Sequence, residues 1–332
     1  MTASCISRKS ERWFLSHQRP LPWRSQYDPY HIWVSEVMLQ QTRMEVVLRY
    51  FREFLRRFPT VEALAAASYD EVTAAWSGLG YYRRARMLRD GAVVVRDRFR
   101  GVLPAEPESL RSIPGIGRYT AGAIASVAYD RPAPIVDGNI ARLLARLCHA
   151  STSAAAWKHA AEIVRTAHSP RICNQALMEI GALICRPSEP DCPRCPLRRE
   201  CAAFAAGRTG KLPPKKTSAP RAMRIPLYVI SDRRGRILMR RHTGPLMDGM
   251  FHLPHGNGRL FDGWRLEVGS SRRLGSFRHT ITNRRIEFTV LATSHRPPGA
   301  GRHYRWIDPG ELASIPHPSY VRKALQVAGI NK

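Results

Sequence analysis

The chain has 332 residues, 44% of them apolar, enough for about two domains with buried cores. Lys and Arg number 53 against 26 Asp and Glu, a formal charge of +27, which points to a polyanionic partner, most simply nucleic acid. No stretch approaches the roughly 20 apolar residues of a membrane span, and the first ten residues lack an apolar core of signal-peptide length. The expectation is a protein with no membrane partner.

The charge is uneven. Residues 1–207 carry 29 basic and 19 acidic side chains, net +10, whereas residues 208–332 carry 24 and 7, net +17. Both halves are therefore expected to meet the polyanion. Seven Cys in so long a chain do not make a disulfide scaffold, and an intracellular, reducing compartment fits them best.

Residues 10–58 read as helices. Ser10 is placed to cap one carrying Trp13, Phe14 and Leu15. Asp28-Pro29 starts a second, with Asp as cap and Pro in the first turn, and a third runs from about Met44 to Phe58. Thr60 and the Ser68-x-x-Glu71 capping box open two more. Gly78-Leu-Gly-Tyr-Tyr82 breaks the pattern before a long basic helix. Asn139 to Ala150, Ser153 to Ala167 and Ile172 to Ile184 are also helical by period, so the first 200 residues read as all-α. Residues 208–224, rich in Gly, Pro, Lys and Ser, read as a linker. Beyond it the period switches. Pro226 to Ser231 and Ile237 to Arg240 flank Asp232-Arg-Arg-Gly235, a hairpin signal. Arg285 to Leu291 and Tyr304 to Ile307 read as strands, Asp308-Pro309 caps a short helix, and Ser319 to Ala328 forms a last one. Residues 225–332 are thus α+β, after a mainly α domain over 1–207.

The stretch Leu110 to Asn139 carries the first chemistry. Ile113-Pro114-Gly115-Ile116-Gly117 lies between two apolar-periodic segments, and Thr120 opens a helix of small residues. Pro114 stops the first helix, and Gly115 and Gly117 permit a tight hairpin whose N–H groups suit a phosphate. Alone, Pro-Gly-Ile-Gly reads more readily as an ordinary helix connector. Asp137, in a Val-Asp-Gly-Asn turn, suggests an acid working on a nucleotide beside that hairpin. Glu36 lies among Ile32, Val34, Val37 and Met38, where an apolar setting would raise its pKa; a solvated helix face is the alternative. Cys185, Cys192, Cys195 and Cys201 follow one another with six, two and five intervening residues. Four thiolates so close need a multivalent soft centre, an iron–sulfur cluster or zinc. Zinc ribbons usually offer two Cys-x-x-Cys pairs, and only one is present. Cys5, Cys148 and Cys173 are left over.

The Pro-Gly-Ile-Gly stretch with Asp137 resembles the helix–hairpin–helix of base-excision DNA glycosylases, and the six-two-five spacing resembles their 4Fe-4S loop. Ser35 to Thr42, Leu21-Pro-Trp-Arg24, Gly78 to Arg86, Gly117-Arg-Tyr-Thr-Ala-Gly-Ala123 and Asp137-Gly-Asn139 resemble the adenine DNA glycosylase (MutY) family, over residues 12 to about 205. The resemblance implies that Glu36 protonates adenine and Asp137 stabilises the sugar cation, with Tyr119 and Asn139 orienting them. Arg19, Trp23, Arg24 and Glu179 would line the adenine pocket. Gln40, Gln41 and Tyr81 would contact or wedge the duplex, and Gly115 and Gly117 would hold its backbone. One 4Fe-4S cluster would sit on the four cysteines, beside Arg186, Arg194, Arg198 and Arg199. Lyase relatives carry Lys where this chain has Tyr119, and a phenol cannot form an imine, so strand cutting is not expected. The partner implied is double-stranded DNA bearing an adenine mispair, met by a monomer in the cytoplasm, associated with the nucleoid.

Met247 to Pro254 and Tyr304 to Leu312 resemble the Nudix-like domain that ends these glycosylases and reads 8-oxoguanine. Residues 208–332 hold only Glu267, Glu287 and Glu311, too far apart for a Nudix metal site. The family's Phe-Ser-His after a His-Thr pair is replaced: His279-Thr280 is followed by Ile281-Thr282-Asn283, which puts the choice of 8-oxoguanine over guanine in question. Two other readings share parts of the pattern. A mismatch thymine or uracil glycosylase has the same core, but Leu-Gln-Gln-Thr, Asp-Gly-Asn and the C-terminal domain argue against it. A non-catalytic DNA-structure sensor would not need both Glu36 and Asp137.

Overall fold

The computed structural model describes residues 2–213, 221–242, 249–256, 271–281, 284–293, 304–313 and 315–330. The chain divides into two compact units, residues 1–66 with 87–216, and 67–86 with 217–332. Residues 67–86, expected in the helical domain, thus group with the second unit.

The first unit is helical throughout its described residues. It holds α1 (Ala3–His17), a 3₁₀ turn Pro22–Arg24, α2 (Pro29–Leu39), α3 (Met44–Arg57) and α4 (Val61–Ala66). After α5 (Tyr69–Ala75), which lies in the second unit's stretch, α6 (Arg83–Phe99) returns the chain to the first. Then come α7 (Pro107–Arg111), α8 (Arg118–Ala123), α9 (Gly138–Leu147), α10 (Ser153–Arg165), α11 (Pro170–Glu179) and α12 (Ala202–Ala205). Short side chains fix several starts. Asp28 accepts from the His31 amide at 2.9 Å, Ser169 from that of Ile172 at 3.3 Å, and Ser68 with Glu71 closes the capping box. Ser10 is not a cap, because α1 starts seven residues earlier and buries it. The helix expected from Thr120 starts at Arg118, behind Gly117.

One side of the core joins Ile140, Leu143, Leu144 and Leu147 of α9 to Ala160, Ile163 and Val164 of α10 and Leu177 and Ile180 after them. Each such fully buried aliphatic side chain contributes about 1.5–3 kcal/mol. α2 is buried on nearly every side, from Tyr30 and Ile32 to Met38, so any carboxyl it carries is taken out of water. Two helices end in wide π turns, Ile124–Ala128 after α8 and Ile180–Ile184 after α11. Between α7 and α8 the chain makes its hairpin at Gly115, whose φ of +82° suits glycine and where a Cβ would come 2.9 Å from that of Met87.

Among its described residues the second unit holds two three-stranded sheets. β1 (Arg221–Val229), β5 (Arg284–Ala292) and β4 (Arg272–Ile281) form one in the order β1-β5-β4, with β1 parallel and β4 antiparallel to β5. β2 (Ile237–Arg241), β3 (Phe251–His252) and β6 (Tyr304–Ile307) form the other in the order β3-β2-β6. Pro226 is tolerated because β1 is an edge strand. The Asp232–Gly235 turn forms, the Gly235 amide donating to Asp232 at 3.1 Å. Its flanks do not pair as a full hairpin, however. β1 and β2 enter different sheets, and the chain between them closes with a bridge at Ser231 and Ile237. The linker expected over 208–224 ends earlier, at the start of β1. The core sets Leu227, Val229, Ile286, Phe288 and Val290 against Tyr320, Val321 and Leu325 of α13 (Ser319–Val327).

Candidate active site

Four stretches of the sequence build one cavity of about 680 Å³ in the first unit. The 3₁₀ turn and the residues before it give Arg19, Leu21, Trp23 and Arg24. α2 and the turn after it give Glu36, Leu39, Gln40, Gln41 and Thr42. The hairpin helix, the following turn and α11 give Tyr119, Val136 to Asn139, Gln175, Met178 and Glu179. Val127 and Ala182, one from each π turn, also line it. Gln41 holds the left-handed conformation, φ +57°, at a cost of about 1–2 kcal/mol, at the corner where α2 gives way to α3.

Glu36 is 6% exposed, and its carboxyl is pushed up to about 7, chiefly because burial penalises the anion. The nearby Asp137 charge pushes the same way, while a hydrogen bond from Tyr119 and the charge of Arg24 oppose the rise. The Tyr119 hydroxyl also lies 3.6 Å from Met178 Sδ, and burial holds the phenol well above its usual range. Asp137 is the N-cap of α9. Its Oδ1 accepts from the Ile140 amide at 2.7 Å and its Oδ2 from Asn139 Nδ2 at 2.9 Å. Burial raises its pKa too, but these donors, the positive helix end and the Arg142 charge favour its anion. Both carboxyls are thus raised by burial, but at Asp137 the donors, the helix end and Arg142 offset part of the rise that Glu36 keeps.

Glu179, 1% exposed, is fixed from two sides. Arg19 Nε donates to it at 2.9 Å and Arg24 Nη1 lies 2.8 Å away. Arg24 Nε also donates to Gln175 at 2.8 Å. Trp23 packs edge-on against Phe51 at 5.1 Å while lining the cavity, so core packing and pocket wall are one role. Arg142 Nη2 donates to Asn139 Oδ1 at 2.9 Å and to the Gly181 carbonyl at 2.7 Å, and its Nε donates to the Cys185 carbonyl at 2.7 Å. Neither Arg142 nor the wall residues Gln175 and Met178 was singled out from sequence. Arg142 had one signal, its place three residues after Asn139 on the same helix face.

Residues 34–166 match the family model of HhH-GPD superfamily base excision DNA repair proteins. The chain is 37% identical over 246 residues to the adenine DNA glycosylase of Mycolicibacterium smegmatis, a match covering 70% of this chain and 80% of that one. The chain belongs to the adenine DNA glycosylase family. The mouse adenine DNA glycosylase is 41% identical over 216 residues, covering 60% of this chain, and the match spans only 42% of the mouse protein's length. A solved thermostable thymine-DNA glycosylase superposes with a TM-score of 0.57 at 26% identity, covering 61% of this chain and 97% of its own.

In this glycosylase-family chain the cavity gathers Glu36, Asp137, Tyr119, Asn139, Arg19, Trp23, Arg24, Gln40, Gln41 and Glu179. Gly115 and Gly117 stand in the hairpin and do not line it. Tyr81 belongs to the second unit, 41% exposed, with the Arg84 guanidinium 5.5 Å from its ring. Thr282 and Asn283 lie outside the described residues, while His279 to Ile281 form the end of β4 rather than a loop. The four cysteines line one small pocket with Leu143, Leu147, Leu197 and Arg146. Arg146, 1% exposed, donates to Cys185 Sγ at 3.3 Å and to the Arg186 and Pro187 carbonyls. Burial, with the other three thiols as neighbours, pushes Cys195 up to about 12. Among the described residues no group of three or more His, Cys, Asp or Glu is arranged to hold a single metal ion, and no helix is long and apolar enough to cross a membrane. Of the leftover cysteines, Cys173 is buried and Cys5 and Cys148 are half-buried.

Proposed function

We propose that the chain is a monofunctional adenine DNA glycosylase, removing adenine mispaired with 8-oxoguanine or guanine in double-stranded DNA during base excision repair. The carrying observation is that Glu36 and Asp137 line one cavity, the first buried and biased toward its acid form, the second an N-cap held by donors. That pairing suits glycoside chemistry, with one acid for the leaving group and one carboxylate for the sugar.

The target adenine leaves the stack at a cost of roughly a few kcal/mol and enters the cavity against Trp23, Arg19, Arg24 and Glu179. Glu36 gives its proton to N7 and so weakens the N-glycosidic bond. Asp137 stabilises the oxocarbenium-like sugar, as a transient covalent adduct that water then opens. Tyr119 holds Glu36 and Asn139 holds Asp137. With a phenol at position 119 no Schiff base forms, and the abasic strand stays uncut. Gly115 and Gly117 grip the backbone, and Gln40, Gln41 and Tyr81 act on the stack.

Cys185, Cys192, Cys195 and Cys201 would hold one 4Fe-4S cluster. The donor set fits, since four thiols share an apolar pocket where bare thiolates are costly. The cluster's chemistry there would be structural: bound to the four thiolates it would hold the loop bearing Arg186, Arg194, Arg198 and Arg199, which would then be free to meet DNA. The second unit, Nudix-like in this reading, recognises the lesion, and Thr282 and Asn283 set its preference for 8-oxoguanine over guanine. The enzyme acts as a monomer on chromosomal DNA in the cytoplasm.

A gel assay tests the whole reading. Duplexes with adenine opposite 8-oxoguanine, adenine opposite guanine and thymine opposite guanine are incubated and then split, half of each treated with alkali. Adenine release seen only after alkali, and abolished by Asp137→Asn, is expected. Thymine release favours the mismatch reading, and release of nothing leaves a DNA sensor. Asn283→His, compared on the first two duplexes, reads the lesion preference.

A further inference from the structure

The Gly78–Tyr82 turn belongs to the second unit and holds an exposed aromatic ring in a costly backbone conformation. Tyr81 is 41% exposed and has a φ of +51°, directly after Gly80 at +73°. A tyrosine stays in the left-handed region only where its surroundings over-determine it. Here they do. Trp76 Nε1 donates to the Gly80 carbonyl at 3.2 Å, and Arg84 Nη2 donates to the same carbonyl at 3.1 Å. The Arg84 guanidinium also lies 5.5 Å from the Trp76 ring and 5.5 Å from the Tyr81 ring.

The next residue ties this turn to the C-terminal segment. Tyr82 is 8% exposed, and its hydroxyl stands between two backbone groups, the Gly78 amide at 3.2 Å and the His317 carbonyl at 3.0 Å. The partners fix both directions. An amide N–H only donates and a carbonyl only accepts, so the phenol accepts from Gly78 and donates to His317. His317 is 2% exposed, and the Pro316 carbonyl before it accepts from the Phe251 amide of β3 at 2.8 Å. α13 starts two residues later, at Ser319. Its Tyr320 stacks on Phe288 of β5 at 4.8 Å, with the His279 ring, near the end of β4, 6.1 Å away. Packed groups thus lead from the Tyr81 turn to the end of β4 without leaving the unit.

We propose that Tyr82 is a positioning residue for base extrusion: its hydroxyl seats the turn that carries Tyr81 on the His317 carbonyl. The ring that opens the stack is thereby held by the same unit whose β4 end meets the lesion. This rests on the reading that Tyr81 acts on the stack. Phenylalanine would fill the same volume, so the role lies in the hydroxyl alone. Without it the Gly78 amide and the His317 carbonyl lose a buried partner, and the turn loses its tie to the C-terminal segment.

Single-turnover excision from a duplex with adenine opposite 8-oxoguanine is compared for wild type, Tyr82→Phe, Tyr81→Ala and the double variant. Extrusion is read in an Asp137→Asn background, from the fluorescence of 2-aminopurine in place of the adenine. Tyr82→Phe is expected to lower both by about tenfold with duplex affinity little changed. Added to Tyr81→Ala it is expected to cost nothing more, whereas general destabilisation would add to the loss. A Tyr82→Phe variant equal to wild type, or additive with Tyr81→Ala, overturns the tie and leaves the role of Tyr81 standing. Tyr81→Ala without effect on extrusion removes that role, and the proposal falls with it. Hydrogen exchange in the wild-type peptide spanning residues 77–82 needs no variant. Protection of the Gly78 amide is expected, and exchange at the rate of an open amide overturns the proposal whether or not Tyr82→Phe folds.

Discussion

Replacing Glu36 by Gln separates the chemical cost of this side chain from its use. The native carboxyl is pushed from 4.5 to about 7, so between those values the folded protein keeps a proton that the unfolded chain has released. Stability from this group is therefore full below about pH 4.5 and is lost as pH rises through about 7, a total of about 3 kcal/mol. Gln keeps the shape, carries no charge and escapes that loss. Glu36→Gln is expected to lose adenine release yet melt higher than wild type at pH 8.5, by about 6 to 12 °C for a unit of this size, with the gap closing near pH 4.5. Melting curves at half-unit pH steps, followed by circular dichroism, measure it. A gap that does not change with pH, or a variant less stable than wild type at pH 8.5, would refute the claim that burial keeps Glu36 protonated.

The same shift predicts that single-turnover excision declines above about pH 7 as Glu36 loses its proton; a flat profile to pH 9 excludes it as the acid. Arg142→Ala removes the guanidinium that fixes Asn139, and excision is expected to fall about 10- to 100-fold with duplex affinity little changed, because the carboxylate beside it loses its aim. At Gly181 a Cβ would sit 2.9 Å from the backbone of Asn139. Gly181→Ala is thus expected to displace the Asp137 turn and lower excision by a similar factor, at a stability cost of about 1–3 kcal/mol. Equal loss of rate and of duplex binding in either variant would point to general unfolding instead.

Sequence signals were strongest where local chemistry alone decides. Asp28-Pro29 and Ser68-x-x-Glu71 marked helix starts because their side chains cap the residues just after them. Glu36 was legible from its apolar neighbours, which mark a helix buried on nearly every side. Period and caps were silent on long-range pairing. The Asp232–Gly235 turn was recognised, but nothing local says that β1 pairs in parallel with β5, some 60 residues onward, instead of with β2. β4 was missed because Arg and Gly punctuate it and its alternation begins only at Ser276, past the irregularity at Arg273 and Gly275. β3, two residues long, has no period to read. Buried arginines escaped for a similar reason. Arg142 and Arg146 look like the solvated face of a basic helix until the carbonyls they serve are known.

Those two arginines show what α9 does beyond packing. Its first turn carries Asp137 as the cap, so the helix end itself favours the carboxylate anion. One turn on, Arg142 reaches back to Asn139 and across to the Gly181 and Cys185 carbonyls. A further turn on, Arg146 takes the Arg186 and Pro187 carbonyls and Cys185 Sγ. Both guanidiniums point to the same side because residues four apart share a helix face. Carbonyls at the end of the π turn after α11 and in the cysteine loop would otherwise be left without donors as the chain leaves helical geometry. The helix thus satisfies that loop and aims the Asp137 carboxylate through one row of side chains. A disturbance of the cysteine loop accordingly has a short covalent and hydrogen-bonded route to Asp137, through Cys185, Arg142 and Asn139.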